Sequence, residues 1–238
     1  MFKTLWPYLL FVLLVGFSSF PATAQYYEQR GYEPAEVRYI AAGFVDRDFA
    51  PRSTNSLPDS LAIHYRRIMP MVSFREGTAE ISFGYSTYDL AGGSKSTIYF
   101  GGRFGTEVPI AGRRPSVLLF PLMLAADFTK AEGIGTSKED FNIASVGLGV
   151  GLKYRYFSGG TDLSVEVEEI AQYSSEGFGV GNGFSAATVG DATILLRGVG
   201  LFDGIALGYR FRLQTWAMNQ GKFNYRSVSH GPYVGIMF

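Results

Sequence analysis

Charged residues recur at every second position in three stretches of this sequence: Lys153 and Arg155, Glu166 and Glu168, Arg210 and Arg212. A spacing of two places each pair on one face of a β-strand. The chemistry they could do together is ionic: a buried network that fills an interior, or a charged ring that selects among small ions. Proton-transfer chemistry is thinly supplied. There are two histidines, His64 and His230, and no cysteine. That excludes a thiolate metal site, a cysteine nucleophile, a disulfide scaffold and a histidine-rich metal centre. His230 directly follows Ser229, so in a strand the two side chains point to opposite faces and form no dyad. A rim site pairing a histidine with Asp46, Asp48 or Asp59 is the remaining catalytic arrangement, and nothing in the spacing selects it. No catalytic residue, metal or cofactor is expected.

Strands must position these groups. The stretch NIASVGLGVGLKYRYF (142–157) sets Ala144, Val146, Leu148, Val150, Leu152, Tyr154 and Tyr156 on one face. Serine, glycine and the cations Lys153 and Arg155 occupy the other. It runs far beyond the five or six residues usual for a soluble strand and suits a tilted crossing of a bilayer. The same period marks 79–88, 161–170 and 205–214. Weaker candidates at 35–45, 62–75, 95–108, 116–130 and 188–202, with a terminal strand at 227–238, bring the number to about ten; eight is the alternative. Short connections (76–78, 112–115, 158–159, 203–204) alternate with connections that are mostly long and polar (46–61, 130–141, 173–187, 216–226). The fold class expected is all-β, a transmembrane antiparallel up-and-down β-barrel over 35–238, with both chain ends on the short-turn, periplasmic side.

The chain opens on MFKTLWPYLLFVLLVGFSSFPATAQ, with one basic residue, a short apolar run and a small-x-small site. Residues 1–24 therefore read as a secretory signal peptide cleaved after Ala24, and 25–34 as a periplasmic lead-in. A net charge of zero gives no nucleic-acid footprint. The glycine-rich GLGVGL (147–152) and GVGNGF (179–184) join no strand to a helix, so no nucleotide loop is implied.

The signal peptide, the amphipathic strands and the terminal YVGIMF together resemble the bacterial outer-membrane β-barrel superfamily. The resemblance implies an outer-membrane location, with membrane lipid as surroundings. It also implies that Val234, Ile236 and Phe238 form the C-terminal insertion signal read by the barrel assembly machinery.

With Ser158-Gly159 and Asp203-Gly204 as two-residue turns, Arg155 faces Asp162, Lys153 faces Ser164, and Arg210 faces Arg197. An inward cluster of Glu166, Glu168, Arg197, Arg210 and Arg212, with Lys153 and Arg155 on the same side, follows. Tyr154 and Tyr156 are expected in an aromatic girdle at one interface, Tyr85 and Tyr88 at the other. Four functions compete: a non-enzymatic barrel plugged by charge, whose loops meet an envelope or extracellular partner; a narrow channel; a membrane-embedded lipid-active hydrolase; and a soluble lipocalin-like barrel, in which the two faces would be inverted.

Overall fold

A computed structural model describes residues 37–56, 58, 62–134, 140–176, 181–199, 202–218, 221 and 223–238. The expected signal peptide and lead-in lie outside these residues. Ten antiparallel strands close into one barrel, each hydrogen-bonded to its sequence neighbours and β1 to β10. They are β1 (Arg38–Pro51), β2 (Tyr65–Glu76), β3 (Ala79–Leu90), β4 (Gly93–Arg113), β5 (Ser116–Ala131), β6 (Phe141–Ser158), β7 (Thr161–Glu176), β8 (Asn182–Arg197), β9 (Gly204–Met218) and β10 (Tyr225–Met237). Closure leaves no sheet edge at the ends of the strand order, the condition for a sheet to cross hydrocarbon.

The strands obey period two, with one bulge at Pro109–Ala111 of β4, and this fixes the barrel's polarity. Outward positions are apolar and exposed: Phe44 is 63% exposed, Leu148 63%, Phe104 60% and Phe83 48%. Inward positions carry the charges, with Glu168, Asp162, Lys153 and Arg155 all buried. A soluble barrel places these classes the other way round, so the lipocalin-like alternative fails on the faces themselves.

Several boundaries differ from the sequence expectation. β1 runs on to Pro51, so Asp46 and Asp48 stand on a strand and not in the first loop. β8 occupies 182–197 in place of 188–202, because the serine- and glycine-rich segment taken for a loop at 173–187 is mostly ladder. Its inward serines are strand residues of a polar interior: Ser174 Oγ meets Ser145 Oγ and Ser185 Oγ at 2.9 Å each. The β6–β7 turn is Gly159-Gly160, with Gly159 at φ 57°, a conformation that disfavours any side chain. Tyr88 has inward parity and is buried, so it belongs to the core and not to a girdle; Tyr85 is outward and exposed.

Candidate functional site

The interior is the candidate site, and it has two unlike halves. Nearest the short turns lies an ionic network. Four oppositely charged pairs face each other directly across strands: Arg75 and Glu80, Glu80 and Arg103, Lys153 and Glu166, Asp191 and Arg210. Such pairs favour the register they occupy. Arg103 is central. Its Nε and Nη2 donate to Glu80 Oε2 at 3.3 and 3.0 Å, and its Nη1 to Glu168. Glu166 accepts from Arg75 Nη2 at 3.3 Å and lies 3.8 Å from Lys153 Nζ. Lys153 Nζ also donates to Glu107 at 2.5 Å. Arg155 Nη2 reaches Asp162 at 2.5 Å, and Arg210 bridges Asp191 and Glu80.

One rung further in, Asp127 accepts from Arg212 at 2.9 Å, Gln214 at 3.0 Å and Gln172 at 2.6 Å. Arg47 carries no carboxylate partner among the described residues. Its Nε donates to Ser227 Oγ at 3.2 Å, and its guanidinium lies 5.8 Å from the ring centres of Phe49 and Tyr99. Through both levels seven carboxylates (Glu80, Glu107, Asp127, Asp162, Glu166, Glu168, Asp191) stand against seven cations (Arg47, Arg75, Arg103, Lys153, Arg155, Arg210, Arg212). Near-equal charge is the condition for burying so many ions, since an unmatched one costs far more than a paired one.

Toward the loop end the filling changes to aromatic. Phe49, Tyr65, Tyr88, Phe141, Trp216, Phe223 and Tyr225 form one cluster with Ile63 and Ile143. Phe49 lies 4.8 Å from Tyr225 and 5.0 Å from Phe141, ring centre to ring centre. Between the two halves remains a cavity of about 60 Å³ lined by Arg47, Met69, Ser82, Arg210 and Arg212, among others. A second, of about 50 Å³, sits at the short-turn mouth beside Arg75, Lys153 and Arg155. Each has room for a few waters.

Of the residues singled out from the sequence, the structure brings together Lys153, Arg155, Glu166, Glu168 and Arg210, with Arg212 on Asp127 one rung away. It does not bring in Arg197. That residue pairs with Gly204 at the end of β8 and is exposed, because the connection spans 198–203 and shifts the register from the two-residue turn expected. Arg210 consequently faces Asp191, and the like-charge opposition disappears. On β6–β7 the register moves by two, so Lys153 faces Glu166 and Arg155 reaches Asp162 diagonally. Arg75, Glu80, Arg103, Glu107, Asp127 and Asp191 were missed. Their common signal is inward parity: Arg75 and Glu80 flank the 77–78 turn, and Asp191 has the same parity as Arg197.

The histidines lie apart from this network. His64 Nε2 is 3.9 Å from Asp48 on an exposed surface, and His230 Nδ1 is 2.7 Å from Tyr209 Oη on the outward face. Asp59 lies outside the described residues. Val234, Ile236 and Phe238 all point outward, exposed by 57%, 45% and 54%; Phe238 N donates to Arg38 O at 3.3 Å and its ring approaches Phe74.

No family model and no curated protein matches this sequence. Among solved structures it is similar to the outer membrane protease OmpT from Escherichia coli, at 10% identity over 86% of this chain and 97% of that one, with a TM-score of 0.40. Neisserial surface protein A matches at 12% identity over 84% and 97%, TM-score 0.32. The translocator domain of the autotransporter NalP from Neisseria meningitidis matches at 13% over 91% and 94%, TM-score 0.38. At such identities the likeness concerns architecture, and the assignment rests on the chain's own geometry. A closed ten-stranded antiparallel barrel, charged within and apolar without, has the fold of the bacterial outer-membrane β-barrel superfamily.

Proposed function

We propose that this protein is a non-enzymatic outer-membrane barrel whose interior is closed, and whose working surface is the loop end turned to the outside of the cell. The observation that supports a plug over a pore is the filling itself. Ion pairs occupy the short-turn half, rings occupy the loop half, and the spaces left are two small cavities. A pore that passes ions needs a wetted path with mobile counter-charge; here the charges are spent on one another. In this reading the short turns face the periplasm, as in other barrels of the class. Lipid surrounds the apolar belt, Val234, Ile236 and Phe238 are presented to the assembly machinery, and an envelope or extracellular partner meets the loops.

The test is refolding of the mature chain into detergent and vesicles. A gel mobility shift abolished by boiling, with no steady conductance in a planar bilayer, is the expected result. A steady ohmic conductance that changes sign of selectivity on Arg103→Glu would replace the plug by the narrow channel. Absence of the mobility shift would sink the membrane reading altogether.

A further inference from the structure

Prolines interrupt several ladders of this barrel, and in all but one the pairing resumes. The β5–β6 ladder skips the residues at Pro121 and continues from Leu122 to Ala131. The β1–β10 ladder skips Pro232 and continues from Asp46 to Pro51. Between β2 and β3 it does not resume. Their pairing covers Met71–Glu76 against Ala79–Gly84, and stops at Pro70, although both strands run on toward the loop end. Each is fully paired on its other side. Proline supplies no N–H, and lipid supplies no substitute, so a barrel normally leaves no such length unladdered in hydrocarbon.

Side chains hold the seam in place of backbone. Ser86 Oγ donates to Ile68 O at 3.1 Å, Arg67 Nη2 to Asp89 Oδ2 at 2.9 Å, and the Tyr65 and Tyr88 rings stack at 4.1 Å. Met69 lies over Gly84, where any side chain would meet its thioether. Outside, the seam is flanked by exposed Ile68, Val72, Phe83 and Tyr85; inside, Met69, Met71 and Ser82 belong to the wall of the 60 Å³ cavity. An apolar outer surface, an unladdered strip and an adaptable thioether lining thus lie in line.

We infer that the β2–β3 seam beyond Met71–Gly84 is a lateral portal, and that its occupant is an acyl chain of the surrounding bilayer inserted toward Met69 and Met71. The occupant is apolar because the approach is, and it is a chain because only a slender group fits between neighbouring strands. This inference rests on the membrane reading above. Opening parts one serine hydrogen bond, one exposed ion pair and one ring stack, while the β1–β2 and β3–β4 ladders stay whole.

The sequence contains no cysteine, so one introduced thiol is unique. Ser82→Cys, inward on β3 in the cavity wall and two residues from where the ladder ends at Gly84, would be refolded into vesicles doped with a phospholipid whose acyl chain ends in a maleimide. Ser145→Cys, buried on β6 away from the seam, is the comparison. The S82C thiol should react at least about tenfold faster than S145C; Pro70→Val, which restores a ladder N–H, should slow it several-fold, and Ser86→Ala should speed it. Equal rates at the two sites, or indifference to both P70V and S86A, would overturn the portal. Faster reaction of S82C with a charged water-soluble thiol reagent would also overturn it, since entry would then be from the barrel ends. If P70V fails to fold, hydrogen exchange in the unaltered protein decides: the Tyr85, Thr87 and Asp89 amides, which face β2, should exchange well ahead of those of Ser86, Tyr88 and Leu90, which face β4, and equal protection refutes the seam. A protein with no boiling-dependent gel shift fails the membrane reading; one that shifts but shows no site difference fails only the portal.

Discussion

Between the short turns and the loops the barrel's interior changes material, and the two halves solve the same packing problem by opposite means. The ionic half fills space with groups that must be matched one by one: Arg103 alone serves Glu80, Glu166 and Glu168. The aromatic half fills it with rings, whose contacts depend on shape and volume. Charge therefore specifies which strand stands beside which, and at what register, while the rings close the end. The difference teaches where tolerance lies. A ring can lean into a gap; a carboxylate deprived of its guanidinium cannot.

The largest effect should come from Arg103→Leu, which strands Glu168 and takes one partner each from Glu80 and Glu166. A loss of about 5 kcal/mol is expected, the upper end for a broken buried pair, measured by urea unfolding in detergent with Trp216 fluorescence as the signal. Removing both members of a pair, as in Arg155→Leu with Asp162→Leu, should cost under about 1 kcal/mol, since no charge is left unmatched. Equal losses for the single and the double variant would break the comparison at its root.

Next is Phe49→Ala, in the middle of the rings. About 3 kcal/mol is expected, the lower end for such a truncation because Tyr65 and Tyr225 stack on it from both sides and can close in. The conservative replacements sharpen the contrast. Phe49→Leu should recover most of that loss, whereas Arg103→Lys should recover little, because an ammonium cannot reproduce the planar fork. If both conservative variants recover equally, the halves differ in composition but not in kind.

A smaller effect belongs to the boundary of the ionic half. Gly208 lies under the Tyr233 ring, and any Cβ there would meet it. The Tyr233 hydroxyl contacts Asp191 at 3.0 Å and Thr193 at 2.6 Å. Gly208→Ala should therefore cost about 2 kcal/mol by overpacking, and the same change combined with Tyr233→Phe should cost less than the sum. Strict additivity, in the same unfolding assay, would mean that ring and glycine are uncoupled.

How much of this was legible without coordinates depends on which regularity carried it. Strand number and faces were, because period two runs along each strand, a bulge at Pro109–Ala111 aside, and assigns Leu148 outward and Lys153 inward without knowledge of neighbours. Register was not. Arg197 looked like a member of the cluster because Asp203-Gly204 is a good hairpin dipeptide; the chain instead turns over 198–203, closed by Gly198 N donating to Asp203 O at 2.7 Å. The loop assigned to 173–187 failed for a related reason. Polarity marks loops in soluble proteins, but inside this barrel Ser174 and Ser185 are polar because they are interior. Arg75, Glu80 and Arg103 needed the closed ring of strands before they could be seen as one group.

The smallest effect lies at the loop end, where a charged residue touching the aromatic half sits just beyond a strand. Glu132 follows β5; its carbonyl accepts from Tyr88 Oη, its N–H donates to Ser96 O at 3.0 Å, and its carboxylate accepts from Ser96 N–H at 2.8 Å. That backbone hydrogen bond, more than Lys130 at 3.5 Å, holds the Glu132 carboxyl below its ordinary value. A carboxyl whose pKa is lower folded than unfolded contributes stability above the unfolded value, about 4.3, and loses it as pH falls through the folded one. Ser96 amide protection should therefore decline between about pH 5 and pH 3, after correction for intrinsic exchange, with global unfolding barely moved because the side chain is 34% exposed. Glu132→Gln should flatten that profile while leaving the Tyr88 contact, which uses the main chain. A profile that stays steep in the glutamine variant would place the acid-sensitive group elsewhere, and the rings would then owe their anchoring at Ser96 to the backbone bond alone.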